Sequence, residues 1–261
     1  MLGIVLQKGD DKLLGALVLQ KCKDFKVYVT TGKVEEDPVL DVQHGSWSQV
    51  KEEVLCILEP GALPDPGFVG RIVKAVRRHP DFDVYHVNLQ GEKAFPRKTP
   101  AKKLFKLAVL GEVPAPLSSF VFRSAVLRSK AVFKADGTLD PFPTVFSCAA
   151  ERPVRNVWRG QLDWKAPESA TGPMDLDRRV HEKLDLLKWT EDFFGDDDYP
   201  LSVGDQLKLF ATEVAKLYPS YSVDDLKELM NGFQVAQGPV RKMRAQSALK
   251  SALKKRGLEL Q

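Results

Sequence analysis

The stretch ILEPGALPDPGF at positions 57–68 sets one carboxylate, Glu59, directly behind an apolar run and directly ahead of Pro60 and Gly61. Open α/β sheets bind ligands outside the carboxyl ends of their strands, so an acid in that place has the chemistry to touch a ribose hydroxyl or a cation. The same Glu-Pro-Gly-Ala also spells a reverse turn, and an acid that opens a turn needs no ligand to explain it. His44, His79, His86 and His181 show no metal-ligand spacing and are expected at surface or boundary positions. Cys22, Cys56 and Cys148 stand far apart in apolar settings with no C-x-x-C pair, as buried, reduced thiols would. Ser118 and Ser119 lack a G-x-S-x-G context, and neither G-x-G-x-x-G nor a P-loop occurs. Hydrolase-triad, dinucleotide and P-loop chemistry are therefore disfavoured.

The elements that would carry Glu59 follow from periodicity. LGIVLQ and FKVYVTT read as strands around DDKLLGALVLQKCK, where Leu13, Leu14, Leu17 and Val18 make one helical stripe that Asp10 or Asp11 could cap. A connection of that length between two apolar strands predicts a right-handed parallel βαβ unit. SWSQVKEE reads as a short helix before VLCILE, a third strand. PGFVGRIVKAVRRHP follows as an amphipathic helix, with Val69, Ile72, Val73 and Val76 on one face, Arg71, Lys74, Arg77 and Arg78 opposite, and Pro80 at its end. DFDVYHVNLQGE completes a β-α-β-α-β-α-β order, the layered α/β class.

The segment AFPRKTPAKKLFKLAVLGEVPAPLSS is basic, proline-punctuated and partly helical, and SFVFRSAVL and PVRNVW follow as strand or strand-helix pieces. From Pro173 onward four helical patterns succeed one another, with Ser222 and Asp225 spaced as a capping box and Pro239 placed as a first-turn residue. Two domains are expected, a core over 1–165 and a helical region over 166–261.

The 261 residues include 43% hydrophobic side chains, ample for a packed core, and 39 Lys plus Arg against 35 Asp plus Glu. A surplus of +4 interrupted by acidic runs such as GDDDY does not describe a nucleic-acid binder. The opening MLGIVLQKGDDK has no basic n-region or small-residue cleavage site, and no apolar run approaches the roughly 18–20 residues of a membrane span, so the expected location is cytoplasmic. The last helical pattern sets Arg241, Lys242, Arg244, Lys250, Lys254, Lys255 and Arg256 around an apolar edge. Such a helix either covers its own domain or makes peripheral contact with an anionic inner membrane face.

The order and spacing of these pieces resemble the family-2 nucleotide-sugar glycosyltransferases of the GT-A fold over roughly residues 2–160. EEVLCILEPGALPDPGF lies without a gap over the family's G-E-Y-I-x-F-L-D-x-D-D and the x-x-x-P-x-F after it, with Glu53, Leu58, Glu59, Pro66 and Phe68 at matching places and Gly61 and Ala62 where two aspartates are usual. VYVTTGK covers V-D-D-G-S, with Thr30 and Thr31 at the aspartate positions. The resemblance implies a mixed, mostly parallel sheet flanked by helices, with a C-terminal helical extension. It also implies a nucleotide-sugar donor over the strand ends at Gln7, Thr30, Thr31, Glu59 and Gly61, and Mg²⁺ or Mn²⁺ offsetting the leaving group's charge. Glu59 is the one carboxylate left of that metal motif, which is otherwise degenerate, and cations from the 93–106 stretch would take over part of its work. Further on, the resemblance makes Asp140 the match for the family's general base toward an acceptor hydroxyl, with Asp136 as its alternative. By its own sequence Asp140 is a loop aspartate before Pro141. The sugar and the acceptor, a cell-envelope component among the expectations, are not written in these residues. The competing expectation is a member that keeps the fold without turnover, as a binding or scaffold subunit.

Overall fold

The computed structural model describes residues 1–32, 39–90, 96–109, 116–134, 137–164 and 173–257. The chain divides into two compact units, Met1–Pro167 and Glu168–Gln261, and the expected boundary at 165/166 falls outside the described residues.

The first unit is built on a nine-stranded mixed sheet. Its strands are β1 (Leu2–Leu6), β2 (Phe25–Val29), β3 (Val42–His44), β4 (Val54–Leu58), β5 (Ala62–Pro64), β6 (Val84–Leu89), β7 (Lys98–Thr99), β8 (Phe120–Arg123) and β9 (Val154–Trp164). They run in the order β3-β2-β1-β4-β8-β6-β9-β5, with β7 on β9. The pairs β1–β2, β1–β4, β2–β3 and β6–β9 are parallel, and β8 runs antiparallel between β4 and β6.

Helices α1 (Asp11–Val18) and α2 (Phe68–Arg78) lie on one face. Their buried stripes, Leu13 and Leu17 and then Phe68, Val69, Ile72, Val73 and Val76, form one core with Leu2, Ile4 and Leu6 and the matching alternate residues of β2 and β4. Asp10 caps α1 through Oδ1, and buried Gln20 fastens the two helices by donating to the Asp65 carbonyl at 2.7 Å and accepting from the Val69 N–H at 3.1 Å. The expected helix over SWSQVKEE is only a 3₁₀ turn at Trp47–Gln49, because the chain turns extended at Val50 to enter β4. Short β3, β5 and β7 carry too little periodicity to show in the sequence.

The opposite face holds α3 (Ala101–Val109), α4 (Ser124–Lys130) and α5 (Pro141–Cys148). A Cβ on Gly3 would lie 2.4 Å from the Val50 Cγ1, so only glycine lets the β4 approach pack there. On this face Tyr28 donates to the Glu52 Oε2 at 2.7 Å, and Arg128 of α4 donates to the Val50 carbonyl.

Two expectations about single residues are corrected. His86 is a core residue, 1% exposed, with its ring 5.2 Å from Phe120, because it falls on the inward side of a strand buried on both faces. Burial pushes its imidazole down to about 3, so it is neutral. Cys56 and Cys148 are buried free thiols as expected, whereas Cys22 is half-buried.

The second unit comprises α6 (Pro173–Asp198), broken at Gly195 (φ 67°), with α7 (Val203–Val214), α8 (Val223–Asn231) and α9 (Pro239–Lys255). Ser222 and Asp225 form the capping box read from their spacing, and Pro239 opens α9. The apolar stripe of α9, Ala245, Leu249 and Leu253, is buried within this unit. No helix among the described residues is long and apolar enough to cross a membrane.

Candidate functional site

Because β2, β1 and β4 are adjacent and parallel, and Leu6 pairs in register with both Val29 and Leu58, the next residues Thr30, Gln7 and Glu59 stand in a row on one rim. Backbone bonds lock the row: the Thr30 N–H donates to the Leu6 carbonyl, the Gln7 N–H to that of Leu58, and the Gly9 N–H to that of Thr31. The Thr31 hydroxyl donates to the Gln7 carbonyl at 2.7 Å and that of Thr30 reaches the Gly45 carbonyl at 3.5 Å. These hydroxyls keep lone pairs to accept from a ligand donor. Gln7, Thr30 and Thr31 are all exposed.

Glu59, half-buried, closes the row in a specific way. Its Oε2 accepts from both the backbone N–H and the hydroxyl of Ser118 at 3.1 Å each, and the Ser118 Oγ accepts from the Glu59 N–H at 2.7 Å. This reciprocal clasp joins the end of β4 to the entry of β8, 59 residues later. Sequence reasoning missed Ser118 as a partner, and no spacing signal could supply it. After Glu59 the chain makes the turn its sequence spells: the Ala62 N–H donates to the Glu59 carbonyl at 3.1 Å, and Gly61 takes φ +86° at the position where a Pro-Gly turn needs it. Ala62 then starts β5 with its side chain fully buried.

These residues do not fit a divalent cation. Hard cations require several oxygens, yet Glu59 has one oxygen committed to Ser118, Gly61 has no side chain, and position 62 faces the core. Among the described residues no group of three or more His, Cys, Asp or Glu could hold a metal.

Asp140 stands at the N-cap of α5, half-buried, with its N–H donating to the Val132 carbonyl at 2.8 Å and its carbonyl accepting from Thr144. A two-residue bridge, Phe133 with Leu139, shapes the turn before it. Phe133 meets the Trp47 ring at 6.0 Å, and the Gly45 carbonyl two residues before Trp47 accepts from the Thr30 hydroxyl. Asp136 lies outside the described residues, as do positions 93–95. Arg97 and Lys98 of the basic stretch go elsewhere: β7 pairs Lys98 with Arg155 at the amino end of β9, away from the strand ends that form the rim.

No protein-family model matches the sequence, and no curated protein matches it. Solved structures do. The S. aureus TarS fragment 1–349 in complex with UDP-GlcNAc aligns with a TM-score of 0.57 at 9% identity, covering 100% of this chain and 93% of that one. The same fragment alone gives 0.51 at 9% identity, and in complex with UDP 0.51 at 8%, with the same coverages. At such identities the likeness establishes architecture, and the chain has the GT-A fold that the resemblance to family-2 nucleotide-sugar glycosyltransferases led us to expect.

Proposed function

We propose that the chain is a glycosyltransferase that binds a nucleotide-sugar donor over the rim formed by Gln7, Thr30, Thr31, Glu59 and Gly61 and transfers the sugar to an acceptor hydroxyl. The observation that carries this reading is the row of three parallel strand ends, in a fold shared with a protein solved with UDP-GlcNAc. The lone pairs of the threonine hydroxyls suit base and ribose contacts. Glu59 acts through Ser118 to hold the rim's shape, so nucleotide binding needs no cation held by protein carboxylates.

Asp140 is the proposed general base. It takes the proton from the acceptor hydroxyl as that oxygen bonds to the anomeric carbon, and the bond from that carbon to the diphosphate oxygen breaks, releasing the nucleoside diphosphate. For the membrane question, α9 buries Ala245, Leu249 and Leu253, which supports the covering role, while Val240 and Met243 in its first half stay exposed.

The test is thermal unfolding with UDP and UDP-GlcNAc, each with and without Mn²⁺. A ligand at about 100 times its Kd stabilises by roughly 2.7 kcal/mol. Stabilisation that does not require Mn²⁺ is expected. Silence across a panel of nucleoside diphosphates would sink the donor site. Asp140→Asn should keep the UDP response and lose turnover by about 10²-fold or more, and undiminished turnover would remove Asp140 from the reaction.

A further inference from the structure

A cleft of about 650 Å³ opens at the amino end of β9, lined by Arg71, Lys74 and Arg78 of α2 on one side and by Arg97, Arg155 and Asn156 on the other. Positions 71, 74 and 78 recur at i, i+3 and i+7, so α2 presents one cationic stripe to the cleft while its apolar stripe faces the core. Arg77 leaves that stripe and pairs with Asp24 at 2.7 Å. Through β6 and β8, Arg155 stands level with Cys56 of β4. That is about 10 Å short of Glu59 along the strands and about 14 Å to the side, taking roughly 3.3 Å per residue and 4.8 Å per strand.

The cleft is built around a desolvated guanidinium. Arg155 is 7% exposed. Arginine only donates, so the contact between its Nη2 and the His79 Nε2 at 2.9 Å fixes that nitrogen as the acceptor and the imidazole as neutral. Burial, then the charges of Arg155, Arg97, Arg78 and Lys98, holds His79 below its ordinary value, which agrees. The Phe82 ring lies 5.7 Å from the Arg155 Cζ and 5.7 Å from the Lys98 Nζ, steadying both. Arg71 pairs with Asp65, but among the described residues no carboxylate lies within ion-pair distance of Lys74, Arg78, Arg97 or Arg155. A concave space of this size, in which Lys74, Arg78, Arg97 and Arg155 have no carboxylate within ion-pair distance among the described residues, is shaped and charged for an anionic small molecule.

We propose that this cleft is a second anion site, separate from the rim, that takes a multiply charged phosphate-type oxyanion. Guanidinium forks match phosphate oxygens two at a time, and the lysine adds a point charge.

Isothermal titration of the full chain with inorganic tripolyphosphate, at fixed ionic strength and both with and without saturating UDP, tests the assignment. One saturable event that persists in UDP is expected. Arg78→Gln and Arg97→Gln should each weaken it about tenfold or more, the scale of one lost charge-assisted hydrogen bond. Arg77→Gln, outside the cleft, should leave it unchanged. In anion-free buffer both cleft variants should melt above the wild type, since each removes like-charge repulsion, and in tripolyphosphate that order should reverse. No binding in UDP, or binding indifferent to Arg78 and Arg97, overturns the proposal. Equal loss in Arg77→Gln overturns it too, by showing a diffuse attraction to positive charge.

Discussion

At the scale of single residues, Glu59 and Ser118 exchange three hydrogen bonds, and each completes what the other leaves unsatisfied at the strand end. Ser118→Ala removes one of two donors to a half-buried carboxylate and the acceptor of the Glu59 N–H, and should cost about 1–3 kcal/mol. With Glu59→Gln it should form a double-mutant cycle with a coupling of about 0.5–3 kcal/mol, read by urea denaturation, and simple additivity would refute the clasp. Tyr28 offers a second test through pH. Burial first, then the hydrogen bond and the charge of Glu52, push its phenol up to about 12 from an ordinary 10. The folded state therefore holds the proton more tightly, so the contribution is complete below pH 10 and is lost as pH rises from about 10 to 12. Tyr28→Phe should destabilise the protein at neutral pH by about 1–3 kcal/mol, and its deficit against the wild type should shrink across that alkaline window. A deficit that stays constant to pH 12 would rule out the linkage.

At the scale of elements, much was legible because local periodicity and burial agreed. The five-residue runs LGIVL and VLCIL have no polar alternation, as strands covered on both faces require, FKVYV breaks it with the half-buried Lys26, and the stripe from Val69 to Val76 marked α2. What stayed hidden was decided by partners far away in the chain. Strands of two or three residues owe their existence to the edges they pair with, His86 owes its burial to Phe120, and the Arg97 to Arg155 neighbourhood exists only because β7 docks on β9. The rim residues could be named from their order, but the engagement of Glu59 could not. The turn after β4 also yields a prediction. Gly61 holds φ +86°, so Gly61→Ala should cost roughly 1–2 kcal/mol in left-handed strain. A midpoint in urea equal to that of the wild type would mean the turn relaxes without penalty.

At the scale of the whole molecule, every candidate rim residue, Asp140 and the cationic cleft belong to Met1–Pro167, and Glu168–Gln261 has a core of its own. In that helical unit the Phe210 and Phe233 rings meet at a tilt with centroids 4.3 Å apart, and the Glu191 carboxylate accepts from the N–H groups of Gln234 and Val235. Phe233→Ala should destabilise the unit by about 3–5 kcal/mol while the UDP-induced shift measured well below the transition persists. Loss of that shift would mean that the helices contribute to the donor site. A formal charge of +4 hides this partition, because cations gathered in one cleft set a local field that no sum over the surface conveys.

The buried methyl of Ala62 bears on engineering. Aspartates introduced at 61 and 62 to build a cation-holding loop would drive one carboxylate into oil and set the other on a backbone shaped for glycine. Building such a loop would take a new path for the chain between β4 and β5.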